Sequence, residues 1–173
     1  ICTPSDENEA RHLLTTAYLH KGPSSVRYPR GVGSNVKINK DLEPYEIGKA
    51  KLINEGNPNI VVLNFGALIE EAIDVANTLE LTLIDMRFVK PLDSEILKKY
   101  LPTAEWFITI EDGSIMGGAG SAVQEFCSKN GINIKSILFG IPDKFIDHAS
   151  RNEMLDEAGL SSDKIKSKLK KLL

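Results

Sequence analysis

From Glu46 onward the apolar and polar positions follow two alternating periods. Short runs of large and β-branched residues read as strands, and between them apolar positions recur at i, i+3, i+4 and i+7, the period of a helix face. Residues 47–53 alternate apolar with polar, which predicts an edge strand turning over residues 54–58. Residues 60–63 predict a buried strand ending at Asn64-Phe65-Gly66, and Ile69, Ala72, Ile73, Ala76 and Leu79 form the face of the next helix. A strand over residues 81–88 follows, with Asp85 and Arg87 near its carboxyl end. Asp93 is placed to cap a helix that turns Ile96, Leu97 and Tyr100 inward. A further strand is predicted over 132–139 and a turn at Gly140-Ile141-Pro142-Asp143. Next come a short helix holding Met154 and Leu155 and a last helix carrying Ile165, Leu169 and Leu172 inward. Alternating strands and helices over this length predict an α/β domain, a three-layer α/β/α arrangement on a mostly parallel sheet of about five strands.

The centre of that pattern is residues 107–126. A strand over 106–110 leads to a turn at Asp112-Gly113, then Gly117, Gly118 and Gly120 open a helix whose face is Ala119, Ala122, Val123, Phe126 and Cys127. Such a helix start, with its free amides and positive dipole end, suggests a phosphate site. The spacing matches neither a dinucleotide fingerprint nor a P-loop, so the glycines read as structural: they let the helix pack close to the strand or let the turn take positive φ.

The first 33 residues have a different texture. Ser5 or Asp6 can cap a helix, Asp6 and Glu9 have capping-box spacing, and Ala10, Leu13, Leu14, Ala17 and Tyr18 predict its buried stripe. Gly22-Pro23 stops it, and a short extended segment over 24–28 is stiffened by Pro29. One helix and one strand bury too little to fold alone, which predicts higher mobility here. Residues 34–46 show no period and carry Ser34, Asn35, Asn39 and Pro44, so they read as a linker. The predicted organisation is therefore 1–33, linker 34–46, and domain 47–173.

Composition narrows the functional classes. A net charge of −3 gives no electrostatic case for nucleic acid or an anionic membrane surface. The six Phe, four Tyr and one Trp are scattered and form no stacking platform. No apolar run approaches the ~18 residues of a membrane helix. Cys2 and Cys127 lack metal or redox spacing, consistent with a reducing compartment. The chain opens on Ile1-Cys2-Thr3-Pro4 without a signal pattern, which leads to the expectation that it lies inside a larger polypeptide.

Candidate chemistry is sparse. Val26-Arg27-Tyr28-Pro29-Arg30-Gly31 places two guanidiniums on an extended segment at a domain boundary. Two readings stand: a surface salt bridge for each, or a grip on phosphate, whose geometry arginine matches. Their odd separation puts them on opposite faces, so they do not act together. Asp85 and Arg87 at a strand's carboxyl end read as a pair fixing the loop. Glu111-Asp112-Gly113 lacks the partner Asn of a diphosphate–metal motif and is rejected as a metal site. His12, His20 and His148 share no ligand spacing and read as surface residues, and neither a nucleophile elbow nor an activated Cys–His pair is present.

The ordered runs Thr3-Pro-Ser-Asp-Glu-Asn-Glu9, Gly22-Pro-Ser-Ser-Val-Arg-Tyr-Pro-Arg-Gly31, Leu63-Asn-Phe-Gly66, Ile84-Asp-Met-Arg-Phe-Val-Lys-Pro-Leu-Asp93, Ile115-Met-Gly-Gly-Ala-Gly-Ser121 and Gly140-Ile-Pro-Asp143 resemble the carboxyl-terminal third of the 1-deoxy-D-xylulose-5-phosphate synthase family. The resemblance implies that 1–33 are a helix–strand remnant of another α/β domain, the end of a pyrimidine-binding domain, and that 47–173 form a transketolase-type carboxyl-terminal domain. It implies a homodimeric transferase, dependent on thiamine diphosphate and Mg2+, that condenses pyruvate with D-glyceraldehyde 3-phosphate with loss of CO2, for isoprenoid and thiamine or pyridoxal precursors. It further implies a bacterial cytoplasmic or plastid-type location. On that resemblance Arg30 binds the substrate phosphate and Arg27 is structural. It implies no catalytic, cofactor-binding or metal-binding residue within this chain, no cofactor bound to this piece alone, and partners in the remainder of the polypeptide. The alternative is a stand-alone, non-catalytic interaction or dimerisation domain of the same type.

Overall fold

The computed structural model describes residues 1–172, with the side chain of Leu172 outside the described residues along with the expectation that it turns inward. Helix α1 spans Glu7–Leu19. After a long segment without regular structure come β1 (Lys51–Asn54), β2 (Asn57–Phe65), α2 (Ile69–Leu79), β3 (Leu81–Asp85), α3 (Ser94–Tyr100), β4 (Trp106–Ser114), α4 (Ala119–Lys129), β5 (Lys135–Ile141), α5 (Arg151–Glu157) and α6 (Ser162–Leu172). The five strands form one sheet in the order β1-β3-β2-β4-β5. All neighbours are parallel except the edge pair β1–β3.

Both faces of the sheet are covered, which is why β2, β3 and β4 are nearly continuous apolar runs. On one face Ala72, Val75 and Ala76 of α2 and Ile165 and Leu169 of α6 pack on Val62, Leu83, Ile108 and Phe139. On the other, Leu97 of α3 and Val123 and Cys127 of α4 pack on Val61, Leu63, Ile84 and Phe107. Three-layer α/β/α architecture follows, as the alternation of periods predicts. Asp93 caps α3, accepting from the Glu95 and Ile96 amides, each at 3.1 Å.

Several boundaries differ from the sequence reading. The edge strand starts only at Lys51, after Gly48 takes φ 77°, and its pairing is bulged between Leu52 and Asn54. β2 begins at Asn57, before the predicted start. β3 stops at Asp85, because Arg87 takes φ 54° and turns the chain out of the sheet. Asp112-Gly113 is not a turn: β4 runs through it to Ser114, which pairs with Ile141 across a register shift. β5 starts at Lys135 and runs through Gly140 to Ile141, so the predicted turn begins a residue or two later.

The largest difference is in α1. Asp6 caps it, accepting from the Glu9 amide at 2.7 Å. The buried face, however, is Glu9, His12, Leu13 and Thr16, while Leu14 and Tyr18 of the predicted stripe are 49% and 88% exposed. Polar residues go inward here because polar partners meet them. Arg87 donates to Glu9 through Nε at 2.8 Å and Nη2 at 2.7 Å, a two-pronged bond with the side chains only 14% and 5% exposed. Tyr45 Oη donates to the same carboxylate at 3.1 Å, and its ring lies 4.0 Å from the Arg87 guanidinium carbon. Residues 34–46 run back along α1: the Tyr45 amide donates to Thr16 Oγ1 at 2.7 Å and the Asn39 amide to Asn8 Oδ1 at 2.8 Å.

Removing one partner of a buried ion pair leaves the other charge uncompensated, at about 3–5 kcal/mol. Arg87→Ala is therefore expected to lower the urea midpoint of the chain by an amount equivalent to about 3 kcal/mol. A variant within about 0.5 kcal/mol of the parent, the range of an ordinary surface change, would contradict the assignment.

Candidate functional site

Ligands of open α/β sheets sit outside the carboxyl ends of the strands, where the strand order reverses. Here the order reverses between β2 and β4, and the chain itself occupies the crevice. Residues 2–5 are buried. The Thr3 amide donates to the Arg87 carbonyl at 2.8 Å, and Cys2 bridges to Val26 on one side and Phe88 on the other. Gly66, at the end of β2, lies against Thr3 and Pro4.

The same contacts place the arginine segment. Cys2 donates to the Ser25 carbonyl at 2.8 Å and accepts from the Arg27 amide at 2.9 Å. Residues 24–28 are thus an extended strip along the sheet's carboxyl edge, beside Glu111, Asp112 and Gly113. Tyr28 and Pro29 line two open clefts of about 490 and 440 Å³. Arg30 lines neither; it is exposed, and among the described residues nothing pairs with its guanidinium. The larger cleft carries Asp6, Glu7, Glu70 and Glu71 against Arg11 and Arg151, so it offers no surplus of positive charge to an anion.

The glycine turn has a different occupant from the one its sequence suggests. The Ala119 and Gly120 amides at the start of α4 donate to the two oxygens of Glu111, each at 2.9 Å. The protein's own carboxylate fills the place a phosphate would take. A Cβ on Gly120 would lie 2.6 Å from Thr109 Oγ1 and 2.9 Å from Leu138, so the missing side chain lets α4 lie on the strands. Burial pushes the Glu111 carboxyl up, opposed by the Gly120 and Ala119 amides and by Arg27 nearby. A diphosphate does not fit at this turn, and among the described residues no three His, Cys, Asp or Glu gather as a metal site.

Asp85 and Arg87 do not form the expected side-chain pair. Asp85 accepts from the backbone amide of Arg87 at 3.4 Å, while the guanidinium goes to Glu9. His12, read from sequence as a surface residue, is 2% exposed. Its ring stacks on Tyr45 at 4.9 Å, and its Nδ1–H donates to the Glu43 carbonyl at 2.7 Å. It is covered because residues 34–46 pack on α1. His20 and His148 are exposed. Cys2 and Cys127 are buried free thiols, and burial pushes both thiols up. Glu9, Tyr45 and Glu7, which hold this end of the molecule together, carried no sequence signal beyond the Asp6–Glu9 spacing.

Burial is the main cause that lifts Asp85 to about 6; the Ser5 hydroxyl opposes it, the Glu9 carboxylate adds to it, and the amide and charge of Arg87 oppose it. The native state holds this proton more tightly than the unfolded chain, whose value is near 3.8. Asp85 therefore subtracts stability as pH rises from about 4 to about 6, by about 2–3 kcal/mol in all. Asp85→Asn is expected to gain on the parent across that window and to hold a constant advantage above it, measured by urea unfolding against pH. A difference that does not change with pH would contradict this.

Comparison with known proteins bears on the whole chain. The family described as "Transketolase, C-terminal domain" matches residues 48–165. A 1-deoxy-D-xylulose-5-phosphate synthase of Pseudomonas fluorescens (strain Pf0-1) is 49% identical over 161 residues, 92% of this chain and 25% of that protein. The synthase of Stutzerimonas stutzeri (strain A1501) is 46% identical over 173 residues, all of this chain and 27% of that protein. The chain thus spans about a quarter of the length of these curated relatives. Among solved structures, a split gene transketolase described as an inactive beta4 tetramer matches with TM-score 0.80 and 24% identity, over 98% of this chain and 55% of that one, a likeness of fold.

Proposed function

We propose that this chain, which belongs to the transketolase C-terminal domain family, is the carboxyl-terminal part of a 1-deoxy-D-xylulose-5-phosphate synthase. The observation that carries the reading is identity of 46–49% to named synthases over 92–100% of the chain. On this reading residues 1–33 end the pyrimidine-binding domain, 34–46 connect, and 47–173 form the carboxyl-terminal domain. The whole enzyme is a homodimer in the bacterial cytoplasm that joins pyruvate to D-glyceraldehyde 3-phosphate and releases CO2. Thiamine diphosphate supplies the carbanion chemistry of such enzymes. Its diphosphate and Mg2+ belong to parts of the polypeptide outside this sequence, in keeping with the Glu111 carboxylate that occupies the glycine-rich start of α4. By itself this chain is inactive.

Its direct share in turnover is Arg30, which takes the phosphate of D-glyceraldehyde 3-phosphate. Exposure, the absence of an internal partner among the described residues and the planar donor set of the guanidinium support this role. The reading of a non-catalytic interaction domain draws on one observation, the exposed Leu14, Tyr18 and Leu19 on α1. That face equally suits the missing sheet of the parent domain.

A charge-assisted bond contributes about 1.5–3 kcal/mol, or roughly 10- to 150-fold in affinity. Arg30→Ala in the full-length enzyme is expected to raise KM for D-glyceraldehyde 3-phosphate by roughly that factor, with KM for pyruvate unchanged. An unchanged KM for the phosphorylated aldehyde would remove Arg30 from the site.

A further inference from the structure

The Arg30 segment is held at two points, by backbone bonds to Cys2 at one end and by the Glu7 carboxylate at the other. At its amino-terminal end the Arg27 amide is bonded to Cys2, and the Arg27 side chain lies over the bare backbone of Gly113. A Cβ built on Gly113 would be 3.3 Å from Arg27 Nη1 and 3.0 Å from Glu111 Oε2, so guanidinium and carboxylate face each other across that glycine. Glu111 is itself fixed by the Ala119 and Gly120 amides, so the carboxylate whose charge Arg27 meets is held in place by the sheet. Asp112 lies beside Arg27 in the same cleft and adds to the negative field.

At the carboxyl-terminal end the Asn35 amide donates to Glu7 Oε1 at 2.8 Å, with Asn35 at φ 59°. Gly33 lies flat on the Glu7 side chain, and a Cβ there would overlap its carboxylate. The amides of Glu7 itself, Asn35, Ser34 and Val36 hold the Glu7 carboxyl below the usual range, against the opposing effect of burial. Between these holds, Pro29 fixes its own φ and restricts Tyr28. Arg30 and Gly31 touch neither anchor.

We infer that Arg27, tied through its amide to Cys2 with its guanidinium in the field of Glu111, and Glu7, set against Gly33, are positioning residues that fix where Arg30 meets the substrate phosphate. This rests on the reading of Arg30 given above. A loop tied at one end sweeps through many positions, and a guanidinium displaced by about 1 Å from its bound geometry loses much of its effect. The two ties remove that freedom before substrate arrives. They also account for two arginines at a spacing that keeps them from acting on one ligand: one holds the segment and the other binds.

The test uses the full-length enzyme with Arg27→Met, Arg27→Lys, Gly33→Ala and Arg30→Ala, and the doubles that combine Arg30→Ala with Arg27→Met or Gly33→Ala. Gly33→Ala breaks the second tie without altering any charge. KM and kcat are measured for D-glyceraldehyde 3-phosphate, unphosphorylated D-glyceraldehyde and pyruvate. Arg27→Met and Gly33→Ala are each expected to raise KM for the phosphorylated aldehyde roughly tenfold. KM for pyruvate stays level, efficiency toward the unphosphorylated aldehyde falls far less, and Arg27→Lys recovers part of the loss. In the Arg30→Ala background neither change adds a further penalty. If Arg30→Ala is costly but Arg27→Met and Gly33→Ala are neutral, strike both aldehydes alike, or add fully to Arg30→Ala, the positioning role is wrong and the Arg30 reading survives. If Arg30→Ala itself leaves KM for the phosphorylated aldehyde unchanged, both fall together. Should Arg27→Met fail to fold, Arg27→Lys and Gly33→Ala carry the same comparison.

Discussion

The bond between Arg87 and Glu9 ties two parts of the chain that sequence alone separates. A guanidinium and a carboxylate taken out of water lose hydration that only good geometry returns. Here the geometry is two-pronged, with Tyr45 stacked over the cation and donating to the anion. Arg87 reaches this position from φ 54°, a conformation that costs a non-glycine residue energy and persists only where surroundings impose it. Buried Asp85 holds the Arg87 amide, and the Arg87 carbonyl receives the Thr3 amide. The end of β3, the first residues and α1 are thus one joint.

That joint decides what the carboxyl edge of the sheet can do. In a parallel sheet the reversal between β2 and β4 would open onto a ligand crevice, but residues 2–5 close it and Glu111 takes the amides of α4. The edge supports an extended, exposed strip that runs through Arg27 and Tyr28 to Arg30. Packing on both sheet faces thus holds one short segment in place along the sheet's carboxyl edge.

Much of this was legible in residue patterns where contacts are local. The faces of α2 and α4, the buried cores of β2, β3 and β4, and the Asp93 cap follow from periodicity and capping chemistry, which neighbours in sequence fix. What escaped depends on residues far apart. His12 reads as a surface residue and Glu9 only as a capping partner of Asp6, yet Glu9, His12 and Thr16 point inward because Arg87 and residues 43–45 supply partners dozens of positions away. The apolar stripe of Leu14 and Tyr18 reads as core and lies open. Asp112-Gly113 has turn chemistry yet continues β4, because Ile141 pairs beyond it. Glu111 gave no hint that it would cap the glycine turn, nor Gly113 that it would carry a guanidinium. The assignment of Arg30 came from family resemblance; the geometry adds its exposure and its two flanking ties.

Amide hydrogen exchange on the isolated 173-residue chain tests most directly whether α1 is joined to the sheet. The amides in the middle of α1 should be protected to a level approaching those of β2 and β4, and Arg87→Ala should release them while the sheet stays protected. Exchange of α1 at the rate of an unstructured peptide in the parent chain, beside a fully protected sheet, would contradict the account.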